Sequence, residues 1–384
     1  MDRIEEFLQE RKNSGLFRSL RAVSYRREGK ICLNGNEYFD FSSNDYLGFS
    51  QHPGLKEAAR KATEELGTSS SGSRLLSGDL NIHHQLENRT AEFKCKEAAL
   101  IFNSGYQANV GIISSLCRKD DVIFSDRLNH ASIIDGIILS QAKFFRFNHN
   151  DLNHLESLLK KERHKFKKSL IITETIFSMD GDRPSLKEIV SLKEKYNSMI
   201  MVDEAHATGI FGENGSGVVE EENLTGNIDL IMGTFSKALG SFGAYLACSN
   251  RVKEYLINIC RSFIYSTALP PSVIAANLVS LDLVRDEPFR RKTLLENANY
   301  LRQELQKHGF RVKGTSQIIP LIIGDSQKAI KLSENLKKNG YYVLPIRPPT
   351  VPAGEARLRF SLTWQHSKNI LEKLVDDICR IYDI

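Results

Sequence analysis

Two polar segments that follow short apolar runs contain the residues best suited to chemistry. Ser198–Val202 leads into Asp203, and Asp229–Met232 leads into a segment that contains Thr234 and Lys237. The carboxylate and the amine are 34 residues apart in the chain. A carboxylate that pairs with a pyridinium nitrogen and a lysine that forms a Schiff base are the groups needed to hold pyridoxal phosphate. The spacing therefore predicts a pyridoxal phosphate site built on Asp203 and Lys237.

Most lysines are exposed at the protein surface, but the sequence around Lys237 differs from that of an ordinary surface lysine. It follows an apolar run and lies among two hydroxyl residues, Thr234 and Ser236, and Gly240. Hydroxyls and backbone amides bind phosphate, and glycine lets the main chain approach a ligand closely. Asp203 taken alone is better explained as a helix cap, and only its pairing with Lys237 favours the role at the ring nitrogen.

Other polar residues fall where they could contact a flat, phosphorylated ligand. Asn103–Gln107 joins an apolar run to a helix, whose N-terminus favours an anion. His206 could bond to a phenolic ring oxygen, although a structural histidine is an equal alternative. His130 could stack on the ring or simply begin a helix, and Ser178 could face the ligand or belong to a turn. Each of these positions stays open from the residues alone.

Arg359 is a candidate for binding a carboxylate substrate. Strand alternation places Arg357 and Arg359 on the same face, and a buried arginine needs an anionic partner. A substrate carboxylate held by two hydrogen bonds would serve, and so would a structural salt bridge.

The elements that must position these residues alternate between residues 82 and 250. The predicted helices are Ile82–Lys94, Gln107–Cys117, Ser132–Gln141, Leu152–Arg163 and Ser185–Tyr196. The predicted strands are Ala98–Phe102, Val122–Phe124, Leu170–Thr173, Met199–Val202, Leu230–Gly233 and Ala244–Cys248. Repeated strand–helix–strand units predict an α/β fold with a mostly parallel central sheet flanked by helices. Ligands collect at the carboxyl ends of such strands, where Asp203 and Lys237 fall.

The rest of the chain suggests two further regions. Residues 1–48 are predicted to form a helix over residues 1–25 and a hairpin over Ile31–Phe41, and residues 49–271 to form the large cofactor-binding domain. Residues 272–384 are predicted to form a smaller C-terminal α+β domain, beginning with a long helical stretch over Ser272–Gln306. Gly67–Gly78 is predicted to be an ordered loop at the site rather than a linker.

Composition excludes several classes of protein. The 384 residues carry a net charge of +5, and no basic run alternates with aromatic residues, so neither nucleic acid nor a membrane is an expected partner. The six cysteines contain no CxxC pair, so neither a metal site nor a disulfide framework is expected and a reducing cytoplasm is the default. Asp203–His206 (DEAH) matches a helicase motif, but the chain has no GxxxxGK[ST] phosphate loop. HExxH, GxSxG and GxGxxG are also missing.

Seven motifs give the chain a resemblance to a known family. They are Ser42–Gly48 (SSNDYLG), Gly67–Gly78, His130 within NHAS, Phe177–Asp182 (FSMDGD), Val202–Gly209 (VDEAHATG), Thr234–Gly240 (TFSKALG) and Ile346–Gly354 (IRPPTVPAG). In this order they resemble the α-oxoamine synthases, fold-type I pyridoxal phosphate transferases that condense an amino acid with an acyl thioester and release carbon dioxide. Ile346–Gly354 most closely resembles the branch that joins L-alanine to a pimeloyl thioester, carried on coenzyme A or a carrier protein. Some members of the family have glycine where this chain has Ser236.

The resemblance implies roles for individual residues. The catalytic residues would be Lys237, which forms the Schiff base, His130, which stacks on the ring, and Asp203, which holds the ring nitrogen. The cofactor-binding residues would be Gly105, Tyr106, His130, Ser178, Asp203, His206, Thr234 and Lys237. The substrate-facing residues would be Arg21, Asn44, His130, Thr350 and Arg359. The resemblance further implies a cytoplasmic homodimeric acyltransferase with its active site shared between two copies.

Three alternatives remain at this point. A sister synthase would use glycine or serine with another acyl-CoA. An aminotransferase on the same scaffold would act on a 2-oxo acid without a thioester. A silent subunit of a heteromeric synthase is disfavoured because it would have no use for Lys237.

Overall fold

The computed structural model describes residues 2–14 and 16–382. In chain order the strands are β1 (Tyr25–Arg27), β2 (Lys30–Leu33), β3 (Asn36–Asp40), β4 (Ala98–Phe102), β5 (Val122–Asp126), β6 (Lys143–Phe147), β7 (Ser169–Glu174), β8 (Met199–Asp203), β9 (Leu230–Thr234), β10 (Ala244–Cys248), β11 (Ile318–Gly324), β12 (Tyr341–Tyr342), β13 (Pro345–Ile346) and β14 (Ala356–Ser361). The helices are α1 (Asp2–Asn13), α2 (Pro53–Leu66), α3 (Asn81–Phe93), α4 (Gly105–Leu116), α5 (Ala131–Ser140), α6 (Leu152–Glu162), α7 (Leu186–Lys195), α8 (Val218–Glu221), α9 (Asn250–Ile259), α10 (Arg261–Ile264), α11 (Pro271–Asp286), α12 (Pro288–Lys307), α13 (Ser326–Lys338) and α14 (Lys368–Tyr382).

The central sheet has seven strands in the order β4-β10-β9-β8-β7-β5-β6. Strand β10 pairs antiparallel with both of its neighbours, β4 and β9, and the pairs β5–β6, β5–β7, β7–β8 and β8–β9 are parallel. The sequence prediction of a mostly parallel sheet is therefore confirmed, as is the fold class. Because β10 runs antiparallel to both β4 and β9, these two strands run in the same direction. The carboxyl end of β4 therefore lies on the same edge as those of β5, β7, β8 and β9.

Apolar strand residues explain why the sheet is covered on both faces. Along β8, Ile200 and Val202 enter one hydrophobic cluster, and Met201 between them enters another. The second cluster contains residues of α4 and α5, whereas the first contains residues of α6, α7, α11, α12 and α14. Strands buried on both sides form near-continuous apolar runs, which is the pattern that the sequence shows.

Two smaller sheets connect the ends of the chain. Strands β1, β2 and β3 form an antiparallel sheet in which β12 pairs parallel with β3, and β11-β14-β13 form a second antiparallel sheet. The hairpin predicted over Ile31–Phe41 is confirmed, and its turn places Asn34 and Gly35 at φ 51° and 80°. The division into domains at residues 48 and 271 stays a prediction.

Several predicted boundaries were wrong. The helix predicted over residues 1–25 ends at Asn13, and residues 16–24 have no regular structure. None of the side chains of α1 is buried, so no packing stabilises a longer helix. The helical stretch Ser272–Gln306 is two helices, with Pro288 beginning the second. Strand β6 and helices α9 and α14 were not predicted. Met1, Gly15, Asp383 and Ile384, which the predicted regions include, lie outside the described residues.

The Gly67–Gly78 segment is a loop, as predicted. Arg74 pairs with Asp79 and with buried Glu87, 2.9 Å away, and Ser70 Oγ donates to the carbonyl of Leu269 at 2.6 Å. These contacts give the loop a defined path.

None of the helices in residues 2–14 and 16–382 combines the length and apolar character that a bilayer crossing requires.

Candidate active site

The predicted catalytic residues come together at one edge of the central sheet. Asp203 ends β8, Thr234 ends β9, and Glu174 ends β7 directly opposite Asp203 in the strand register. Thr234 also pairs with Ala244, the first residue of β10. On the opposite side of β10, Ala244 pairs with Phe102 at the end of β4. The segments that follow these strands therefore begin side by side.

Asp203 is buried and held at both carboxylate oxygens. Its Oδ1 accepts the backbone N–H of Ala205 at 2.9 Å, and its Oδ2 accepts Nδ2 of Asn109 at 2.9 Å. Its backbone carbonyl accepts the N–H of Thr175 at 3.0 Å. Two hydrogen bonds to the carboxylate fix its orientation.

Lys237 lies in the tight segment that follows β9. Its carbonyl accepts the N–H of Gly240 at 2.9 Å, and Gly240 has φ 64°, where a Cβ would overlap the backbone of Phe49 and Ser50. Burial lowers the pKa of Lys237, although the nearby carboxylate of Asp203 opposes this effect. A lysine with a lowered pKa has a larger uncharged, nucleophilic fraction near neutral pH.

Thr234 and the start of α4 form a cradle suited to a phosphate. Ser104 caps the helix by accepting the N–H of Gln107, and the first N–H groups of a helix have no partner within it. Gly105 lies so close to Thr234 that a Cβ on it would be 2.9 Å from Cγ2 of that threonine. The hydroxyl of Thr234 is buried and has no hydrogen-bond partner among the described residues. A buried orphan hydroxyl beside a helix N-terminus is what a bound phosphate oxygen would satisfy.

His130 is tied to Asp203 through a chain of hydrogen bonds. Asn109 Nδ2 lies 3.0 Å from Ser132 Oγ, which is 2.8 Å from Nδ1 of His130. The backbone N–H of His130 donates to Oε1 of Glu174 at 2.6 Å. Burial, followed by the charge of Asp203, raises the pKa of Glu174 well above its usual range. The His130 side chain is exposed, so its ring can cover a ligand on this edge.

His206 is buried behind the same edge. Its Nδ1 lies 2.7 Å from the hydroxyl of Tyr46, and its carbonyl accepts Nε2 of Gln317 at 2.8 Å. Burial lowers the pKa of His206 well below its usual range, and the charges of Lys237 and Arg359 add to the effect. The imidazole is therefore neutral at physiological pH.

Arg359 joins the site from β14. Its Nε donates to the carbonyl of Ser178 at 2.5 Å, and Nη1 donates to Ser361 Oγ at 2.6 Å. Its Nη2 lies 3.5 Å from Oδ1 of Asn44. These partners are neutral, so the buried guanidinium keeps an unbalanced charge suited to a substrate carboxylate. Arg357 on the same strand instead pairs with Asp180 at 2.8 Å, so the structural alternative holds for it.

Three predicted site residues lie further out. Arg21 and Thr350 are exposed and line a cavity of about 880 Å³ that also includes Ser42, two residues before Asn44. The Tyr106 side chain is half exposed, and its hydroxyl donates to Asp135. Within the described part of the chain, none of these three side chains forms a hydrogen bond with Asp203 or Lys237.

Sequence reasoning missed three residues that hold the site together: Asn109, Glu174 and Tyr46. Glu174 follows the predicted strand Leu170–Thr173 directly, and Asn109 lies one helical turn after Gly105, so strand ends and helix spacing could have indicated both. Tyr46 lies within the motif Ser42–Gly48, but nothing in the sequence indicated that its hydroxyl would contact a histidine.

These residues fit pyridoxal phosphate. The orphan hydroxyl of Thr234 and the N-terminus of α4 match the phosphate, fixed Asp203 matches the ring nitrogen, and Lys237 supplies an amine with a lowered pKa.

Comparisons with known proteins give relatives over nearly the whole chain. The family model described as aminotransferase class I and II matches residues 36–378. An 8-amino-7-oxononanoate synthase of Geobacter sulfurreducens is 49% identical over 378 residues, which cover 97% of this chain and 96% of that protein. One from Geotalea daltonii is 45% identical over 384 residues, covering 99% and 98%.

Solved structures share the fold. A serine palmitoyltransferase of Sphingomonas wittichii has a TM-score of 0.94 at 33% identity, covering 99% of this chain and 97% of that chain. A serine palmitoyltransferase from S. paucimobilis with bound PLP has a TM-score of 0.92 at 31% identity, covering 100% and 97%. An 8-amino-7-oxononanoate synthase from Francisella tularensis has a TM-score of 0.79 at 31% identity, covering 90% and 98%.

Proposed function

Because this chain belongs to the aminotransferase class I and II family and, within it, to the α-oxoamine synthases, we propose that it condenses L-alanine with a pimeloyl thioester. The products are 8-amino-7-oxononanoate, carbon dioxide and free thiol, as required in biotin synthesis. The chain is an acyltransferase, and its cofactor is pyridoxal phosphate.

One observation carries the chemistry: Asp203 and Lys237 lie at the same edge of the sheet, where two hydrogen bonds fix the carboxylate of Asp203 and burial lowers the pKa of Lys237. Similarity along almost the full chain to proteins named 8-amino-7-oxononanoate synthase supports the choice of substrates.

Each site residue has a task in the proposed reaction. Pyridoxal phosphate, when bound, supplies an electron sink for the negative charge that develops on the amino acid Cα. Asp203 would pair with the ring nitrogen and favour its protonated form, because two hydrogen bonds hold the carboxylate in place. Lys237 accepts the Cα proton as general base, helped by the burial that lowers its pKa.

The remaining residues bind and orient. Thr234 and the N-terminus of α4 hold the phosphate, and His130 covers the ring. Arg359 would bind the amino acid carboxylate and so orient the substrate for the step in which Lys237 takes the Cα proton, which is a positioning effect. Ser178 and His206 approach the phenolic oxygen, and Asn44, Arg21 and Thr350 face the acyl donor.

We further propose that two copies share the active site and that the enzyme works in the cytoplasm. The Leu76 and Tyr265 side chains are 82% and 71% exposed, and large exposed apolar groups favour a protein partner. All six cysteines are unpaired, which suits a reducing compartment. Sedimentation equilibrium tests the dimer, and a monomer at micromolar concentration would refute it.

The deciding experiment measures thiol release from pimeloyl-CoA with L-alanine, glycine and L-serine in parallel. We expect L-alanine to give the highest kcat/KM. Release with L-serine and a long acyl-CoA would favour the serine alternative. We test this alternative because a serine palmitoyltransferase shares the fold with a TM-score of 0.94. Conversion of an added 2-oxo acid without thioester would identify an aminotransferase.

A further inference from the structure

The buried hydroxyl of Tyr46 contacts the histidine at the back of the site. Tyr46 has no exposed surface, and its oxygen lies 2.7 Å from Nδ1 of His206 and 3.2 Å from Oδ1 of Asn44. The ring of His206 is thus held on its Nδ1 side, and Nε2 is on the other side of the ring. The backbone of His206 is held separately by Gln317.

The length of the contact favours the hydroxyl as its donor. In bonds to oxygen, hydroxyl donors give distances near 2.7 to 2.8 Å, whereas N–H donors give distances near 2.9 to 3.0 Å. The hydroxyl has one hydrogen, and its contact with His206 is shorter than its contact with Asn44. Burial raises the pKa of Tyr46, so the phenol keeps that hydrogen. Asn44 Oδ1 is left to accept from Arg359.

The charge state of His206 completes the assignment. Burial, and then the cations of Lys237 and Arg359, lower the pKa of His206, so the ring is neutral and has a single N–H. If Tyr46 donates to Nδ1, that N–H must be at Nε2.

We propose that Tyr46 is a positioning residue that fixes His206 as the Nε2–H tautomer, so that His206 presents a hydrogen-bond donor to the cofactor. The acceptor would be the phenolic oxygen of the cofactor ring. Only this choice of acceptor rests on the proposed function. The tautomer itself is a property of this chain, so its measurement stands apart from the success or failure of the thiol-release assay.

The test uses the full-length, cofactor-free protein labelled with ¹⁵N-histidine. Long-range ¹H–¹⁵N correlation spectra distinguish the two neutral tautomers, and the signals of His206 are those missing from His206→Gln. We expect the Nε2–H pattern in the wild type near pH 7. Tyr46→Phe keeps the buried ring and removes the hydroxyl, so the Nε2–H fraction of His206 should fall measurably.

Tyr245→Phe is the matched control. Tyr245 is also fully buried, and its hydroxyl lies 2.8 Å from Thr208 Oγ1 rather than from a site histidine. This variant should leave the His206 tautomer unchanged. After pyridoxal phosphate is added, Tyr46→Phe should shift the pH at which the visible cofactor band titrates and should lower kcat about 10-fold to 100-fold with little change in KM for the amino acid.

Two results would overturn the proposal: an Nδ1–H pattern for His206 in the wild type, or a Tyr46→Phe spectrum with the same His206 tautomer as the wild type. If Tyr46→Phe does not fold, the wild-type spectrum still decides, because it is recorded on the native chain. A protein that releases no thiol but shows the Nε2–H pattern would refute the proposed function alone.

Discussion

Nδ2 of Asn109 lies 2.9 Å from Oδ2 of Asp203, and the same nitrogen lies 3.0 Å from Oγ of Ser132. One buried amide on α4 therefore joins the carboxylate at the end of β8 to the first turn of α5, next to His130. Because α4 also begins with the phosphate cradle, a single helix positions both ends of the predicted cofactor site.

Asn109→Ala should weaken the site more than the fold. The substitution removes one of the two donors to Asp203, which costs about 1 to 3 kcal/mol when a buried acceptor loses its partner. Loss of a supporting contact of this kind should lower kcat/KM by roughly 10-fold to 100-fold. Thiol release and urea unfolding measure the two effects. Asn297→Ala removes a comparable amide, which donates to the carbonyl of His366 at 2.8 Å far along the chain. Equal activity losses in the two variants would contradict the role of Asn109.

Lys237→Ala should abolish turnover and leave the fold intact, because the amine is both the covalent anchor and the base. Borohydride reduction of the loaded wild type, followed by peptide mass spectrometry, should place the label on Lys237. Lys96→Ala is the control, since burial also lowers the pKa of Lys96 but its amine bonds to the carbonyls of Thr225 and Ile228. It should keep its activity and its label. A folded, active Lys237→Ala enzyme would remove Lys237 from the mechanism.

Much of this arrangement could be predicted from the sequence because it follows from strand periodicity. Apolar runs buried on both faces predict parallel strands, and parallel strands present the residues that follow them at one edge. Asp203, Thr234 and Lys237 were found in this way. The C-terminal helix α14 was also predictable, since Leu371, Leu374, Val375 and Ile378 recur at helical spacing and are buried.

The remaining features depend on contacts between distant segments. Strand β6 is an edge strand with three exposed residues, and two of them, Lys143 and Arg146, are charged, so it lacks the apolar run that indicated the neighbouring strands. The contact of Tyr46 with His206 joins residues 160 positions apart. Neither the residue types nor their local spacing predicts this contact. It forms because the loop before α2 packs against the segment that follows β8.

Glu204→Gln should destabilise the protein strongly, although Glu204 directly follows Asp203 in the motif. Its carboxylate lies 2.5 Å from Nζ of Lys94, and both side chains are buried. Burial alone would lower the pKa of Lys94, but Glu204 outweighs it and the net shift is upward, so the pair is ionic. Removing one partner leaves a buried charge at a cost of about 3 to 5 kcal/mol. Urea unfolding measures the loss, and Lys94→Met combined with Glu204→Gln should recover part of it. A single variant as stable as the wild type would show that the pair contributes nothing.

The stability of the protein should fall above pH 7 because of His149. Its Nδ1 lies 3.0 Å from Asp126 and its Nε2 lies 2.8 Å from Asp182. Burial opposes the charge, but the two carboxylates prevail and raise the pKa of His149 to about 9. A pKa raised on folding adds stability that is complete below the unfolded pKa and disappears as the pH rises through the folded value. The contribution is roughly 3 kcal/mol, at about 1.36 kcal/mol for each unit.

Urea unfolding at pH 7 and pH 10 tests this, with His149→Gln beside the wild type. The wild type should lose roughly 2.5 kcal/mol more than the variant between the two values, because part of the contribution is already lost at pH 7 and glutamine has no proton to release. His84→Gln is the control, since His84 is more than half exposed and pairs with Asp79 alone. It should follow the wild type within a few tenths of a kcal/mol. If His149→Gln lost as much stability as the wild type, another group would be responsible for the alkaline loss, and the bridge between β5 and the Phe177–Asp182 segment would not depend on the charge of His149.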